Sequence, residues 1–184
     1  MEKVIIILAA TAQISCGGGG QSNRQPAEFF QIQVENKFDD RFEHRREYFV
    51  VSNAPRDTLL LKKIVEEYNF HTIPLDTLKK YYRFTRYFYR ETLCLTRNFE
   101  EVKPYPCKYA PYGDDPGQQI RYHSSDLMLT TSFRSPVHNF NYWVYRYTFG
   151  LNINGKFIEG KEVRIYDIDS LWSERGRKPL TDNH

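Results

Sequence analysis

Cysteine is scarce in this chain: Cys16, Cys94 and Cys107 are the three among 184 residues. None stands in a C-x-x-C or C…H spacing, so the sequence offers no zinc site. Histidine is no better arranged. His44, His71, His123, His138 and His184 contain no pair at i+2 or i+4, so no strand or helix presents two on one face. There is no G-x-S-x-G nucleophile turn and no phosphate-cradling glycine loop. No apolar run approaches the roughly 20 residues of a membrane-spanning helix. Net charge is only +3, with a pI near 8.7, too small a surplus for a nucleic-acid footprint. The expectation from these absences is a chain without catalytic residues, cofactor, metal or nucleic-acid partner.

What is present begins at the N-terminus. A short charged start, Met1-Glu2-Lys3, precedes an apolar run from Val4 to Ala10. Ile14-Ser15-Cys16 follows, and then four glycines, Gly17 to Gly20. That order resembles a bacterial lipoprotein signal, and its loose form before a glycine-rich stretch is similar to those of Bacteroidetes. Gln13 departs from the usual pattern, which carries leucine there. Ala10-Thr11-Ala12 is a rival A-x-A cleavage site. The resemblance covers residues 1 to about 20. It implies cleavage before Cys16, lipidation of its thiol and attachment to the membrane through that lipid. The cell envelope follows as location, at the outer membrane on its periplasmic or surface face. Export is implied, activity is not.

Four regions are expected: a signal peptide over 1–15, a flexible tether over 16–27, an α+β domain over 28–172 and a polar tail over 173–184. The tether holds glycine and polar residues that resist ordering. Glu28 to Val34 and Glu47 to Ser52 read as strands, with the charged stretch from Asn36 to Arg46 as their connection. Ser52-Asn53-Ala54-Pro55 reads as a helix start. Leu60, Ile64 and Tyr68, flanked by Leu61 and Val65, give that helix a buried face, and Asn69 closes it. Pro74 to Lys80 predicts a short helix. Residues 81–97 are rich in Tyr, Phe and Thr and predict a long strand. Asn98 to Asp126 reads as a long irregular excursion. Strands are then expected at Leu127–Phe133, Phe140–Phe149 and Val163–Tyr166. An Asn154-Gly155 hairpin joins Leu151–Ile153 to Lys156–Ile158. The fold class is therefore α+β: a mainly antiparallel sheet ending in a C-terminal meander, with one long helix packed on one face.

Two constellations stand out. Cys94 and Cys107 are the pair left once Cys16 is lipidated, and an oxidising periplasm permits their disulfide. Two separate buried thiols are the alternative. The second is the aromatic and cationic strand: Tyr81, Tyr82, Arg83, Arg86, Tyr87 and Tyr89, joined by Trp143 on the next aromatic strand. Such rings and arginines could stack on a glycan or an anionic polymer. They equally fit a strand whose arginine stems cover a buried aromatic side. His123 with Asp114-Asp115, and the pair Asp167 and Asp169, are weaker groupings.

The functional expectation is a lipid-anchored cell-envelope protein, a non-catalytic binding or assembly module for a protein or glycan. An envelope inhibitor or immunity lipoprotein is the first alternative, and an enzyme with a site assembled across the fold is the second. A histidine within about 4 Å of a carboxylate that faces an open pocket is the mark of the enzyme.

Overall fold

The charged stretch expected to connect the first two strands is strand at every described position. In the computed structural model, which describes residues 25–39, 42–99, 107, 115–135, 145–153 and 156–177, β1 (Glu28–Asp39) and β2 (Phe42–Ser52) form one antiparallel ladder. The register runs from Glu28↔Ser52 to Asp39↔Phe42. Composition misleads here because opposite charges face one another. Glu35 is paired with Arg46 in the ladder, and their side chains approach to 3.7 Å.

Helix α1 (Thr58–Thr72) starts later than expected. Ser52 is the last residue of β2, and Asn53 turns the chain with a positive φ of 52°. The cap is Asp57, whose carboxylate accepts from the N–H groups of Leu59 and Leu60 at 2.8 and 3.1 Å. The helix also runs past Asn69, which is buried and bonded rather than terminal. It ends at Thr72, two residues ahead of Pro74, where proline disfavours helical geometry in the residue before it. The buried face consists of Leu61, Val65, Tyr68 and Asn69, while Leu60 is exposed. Helix α2 (Leu75–Lys80) follows and leads into β3 (Arg83–Arg90).

β3 lies parallel to β2, from His44↔Arg83 to Val51↔Arg90. The sheet is therefore mixed. β4 (Leu127–Arg134) is antiparallel to β3, and β5 (Tyr145–Ile153) is antiparallel to β4. β6 (Lys156–Glu159) pairs with residues 150–153 of β5, and β7 (Val163–Ile165) pairs with residues 145–147 of the same strand. β7 thus returns to β5 instead of adding a further strand outside β6. The Asn154-Gly155 dipeptide lies outside the described residues, as do residues 140–144 of the expected Phe140–Phe149 strand. The architecture is α+β: seven strands, mostly antiparallel, with helices.

Two further helices were not expected. α3 (Pro116–Arg121) lies within the region read as irregular, and α4 (Ile168–Arg177) occupies part of the region read as a polar tail. α4 is held by the buried Ile168 and Trp172, with Leu171 packed beside them, and the Trp172 indole N–H donates to the Ile73 carbonyl at 2.8 Å.

Both sheet faces are buried. On one, Leu61, Val65 and Tyr68 of α1 pack against Phe49, Val51, Phe88, Leu129 and Phe149. On the other, Tyr48, Val50 and Tyr89 pack with Leu95 and Ile120. A strand covered on both sides loses the apolar–polar alternation, which is why β2 and β3 carry rings and aliphatics at successive positions. A third cluster joins Leu78, Tyr81 and Phe84 to Phe133, Ile168 and Trp172.

Candidate functional site

The aromatic strand is core. Tyr81, Arg86 and Tyr89 are 5 %, 4 % and 1 % exposed, so none of the three can meet a ligand from solvent. Tyr82, Arg83 and Tyr87 are half-buried. Tyr82 lies between the Phe42 ring at 4.3 Å and the His44 ring at 5.5 Å. Tyr87 stacks on Tyr48 at 5.0 Å, and Arg83 donates to the Ser132 hydroxyl at 3.3 Å. Trp143 and Cys16 lie outside the described residues.

Arg86 has a structural task. Its Nε donates to Glu47 at 2.8 Å, and Nη1 donates to Asn69 Oδ1 at 3.0 Å and to the Thr72 hydroxyl at 2.7 Å. Asn69 in turn donates to the Thr131 hydroxyl at 3.0 Å. The guanidinium therefore ties α1 to β2 and β3, and the Phe49, Tyr68 and Phe84 rings surround it. Burial pushes its pKa below the ordinary arginine range, and the Glu47 carboxylate opposes that shift.

The Asp167 and Asp169 carboxylates do not form a cation site. Asp167 accepts from the Ser170 N–H at the start of α4, and Asp169 pairs with Lys79. Among the described residues no group of three or more histidine, cysteine or acidic side chains could hold a metal. Cys94 and Cys107 are disulfide-bonded, with their Cα atoms 5.3 Å apart. His138 and Asp114 lie outside the described residues.

The open concavity lies at one end of the sheet. It has a volume of about 350 Å³. Arg90 closes β3 there, Leu127 and Met128 open β4, and Asn152 and Ile153 end β5. Arg56 lies just before α1 and Thr58 begins it, and the 3-10 turn of Ser124–Asp126 adds Ser125 and Asp126. The groove thus draws on four separate stretches of chain, and no local motif marks it. Arg56 and Arg90 are exposed, and neither makes an ion pair among the described residues. Asn152 has a buried Oδ1 with no hydrogen-bond partner among the described residues. Asp126 accepts from the Thr92 hydroxyl at 3.4 Å, and its Oδ2 is 3.5 Å from His123 Nδ1.

The wall that carries Asp126 is positioned from behind. Arg121, the last residue of α3, donates to Glu35 of β1 at 3.0 Å and to the Tyr48 hydroxyl at 2.6 Å. The Tyr48 hydroxyl donates to Glu35 at 3.1 Å. Burial, reinforced by the Glu35 carboxylate and opposed by Arg121, pushes the Tyr48 phenol up to about 12. Gly117 permits the close approach, because a Cβ there would lie 1.3 Å from Glu35 Oε1. No helix among the described residues is long and apolar enough to cross a membrane.

No protein family, curated protein or solved structure matches the chain.

Proposed function

We propose that the chain is a non-catalytic binding module of the cell envelope, lipid-anchored through Cys16, that takes its ligand in the groove at the end of the sheet. The observation that carries this reading is the groove itself: an open concavity lined by two guanidinium groups that have no ion-pair partner among the described residues. Unpaired polar groups of this kind gain from a ligand that completes them. The Cys94–Cys107 bond supports the location, since disulfides persist in oxidising compartments. The lipobox-like leader supports the anchor.

Two measurements test it. Intact mass of the protein from an envelope fraction should show a diacylglyceryl mass on Cys16, and an unmodified thiol there defeats the anchor. Thermal melting against a panel of small polar metabolites should raise Tm for the wild type with at least one compound. The Arg56→Gln/Arg90→Gln double variant should lose that response. Equal responses of both proteins defeat the groove.

A second reading rests on one contact. His123 is within 4 Å of Asp126, and Asp126 lines the groove, which is the geometry set out above for an enzyme. The order of the two residues is the point of difference. His123 stands behind the carboxylate and does not line the concavity, so Asp126 would be the base with His123 orienting it. Turnover of a bound compound by the wild type, lost in Asp126→Asn with binding retained, would establish this reading over the first.

A further inference from the structure

Resting on the groove-binding reading, we infer that the ligand is a zwitterion, an amino acid or short peptide carrying a free ammonium and a free carboxylate. The groove has two poles of opposite demand. Arg56 and Arg90 supply forked donors with no carboxylate partner among the described residues. Asp126 supplies the acceptors. Among the described residues it has two long contacts, to Thr92 and His123, and a carboxylate offers about four lone-pair sites. A simple anion answers the arginines and meets the Asp126 carboxylate as a like charge. A simple cation does the reverse. A ligand with an ammonium at one end and a carboxylate at the other satisfies both poles at once.

The remaining lining fits the same class. Leu61, Met128 and Ile153 also line the groove and give it apolar wall, suited to a side chain. A volume of about 350 Å³ lies at the lower end of the roughly 300–1,000 Å³ range of ligand pockets, a size suited to a molecule of dipeptide scale. A sugar acid would supply only neutral hydroxyls to Asp126, a weaker match than an ammonium.

The test is titration calorimetry of the full chain with four probes: the dipeptide Ala-Leu, its N-acetyl form, its C-terminal amide and inorganic phosphate. Ala-Leu should bind, and blocking either terminus should weaken binding at least tenfold. Asp126→Asn should abolish the penalty of acetylation and keep that of amidation. Arg90→Gln should do the opposite. Both substitutions are at partly or fully exposed groups, and a circular dichroism spectrum unchanged from wild type establishes that each variant is folded. Acetylated or amidated Ala-Leu binding as tightly as the free peptide overturns the zwitterion. Phosphate binding without Ala-Leu binding also overturns it, and leaves a groove that binds another class of ligand. No binding by any of the four overturns it too, while the metabolite panel reads separately whether the groove binds at all.

Discussion

Arg86 illustrates how a residue with the chemistry of a binding group becomes part of the core. Its charge is met by Glu47, which also pairs with Arg45 at 2.8 Å, so removing Arg86 strips a buried carboxylate of its inner partner. Arg86→Ala should destabilise by about 3–5 kcal/mol in urea unfolding, the range for breaking a buried ion pair from one side. A loss below about 1 kcal/mol would show that Glu47 relaxes toward solvent. Glu91 makes a pH-dependent contribution of a different kind. Bonds from Arg97, with a further one from Ser52, hold its carboxyl down at about 2. The folded value lies below the unfolded value of about 4.3, so the stabilisation is complete above about pH 5. It is lost as pH falls from there through about 2. Arg97 is largely exposed and solvent screens the pair, so the contribution is about 1 kcal/mol or less. Wild type should lose its advantage over Glu91→Gln between pH 5 and 2; a difference that does not change with pH would contradict the assignment.

At the scale of elements, the docking of α3 on β1 leaves no room for a side chain at Gly117. Gly117 lies against a Glu35 carboxylate already fixed by Tyr48 and Arg121, so the carboxylate cannot swing aside without losing both bonds. Gly117→Ala should destabilise by about 1–3 kcal/mol in urea unfolding, as overpacked sites do. An unchanged unfolding midpoint would show that Glu35 has room to move. Which elements the sequence disclosed follows from how each is stabilised. β3 was legible because Tyr, Phe and Thr dominate it and no glycine or proline interrupts it, but the strand expected over 81–97 runs only from Arg83 to Arg90, and the chain turns after it. α1 was legible in its centre, where Leu61, Val65 and Tyr68 repeat at helical spacing, but not at its start. Ser52-Asn53 and Asp57 are equally good caps locally, and only the length of β2 decides between them. The β1–β2 ladder was hidden because its charges are satisfied across strands, which composition cannot report. α4 was hidden because its apolar residues, Ile168, Leu171 and Trp172, fall in its first half and a polar run follows them.

At the scale of the whole molecule, the central strands are covered on both faces, and the proposed groove lies at the sheet's end. That groove was not legible in the sequence. Arg56, Arg90, Asp126 and Asn152 are far apart along the chain, and each alone reads as an ordinary solvated residue. The register of β3, β4 and β5 brings Arg90, Asp126 and Asn152 to one end of the sheet, and the entry to α1 adds Arg56. The disulfide acts on the same scale, closing a loop of separation 13 beside the buried Leu95. The Cys94→Ser/Cys107→Ser variant should be less stable by about 3 kcal/mol on the chain-entropy account. Dithiothreitol should lower the wild-type Tm and leave that variant's unchanged; an equal response of the two would contradict a bridge between these cysteines. The most direct measurement of the central claim is an amide chemical-shift map of the full chain with the compound that stabilises it most. The account predicts that shifts concentrate at residues 56–61, 90, 125–128 and 152–153. Shifts centred instead on Phe42, His44, Tyr82 and Tyr87, with the groove silent, would contradict it.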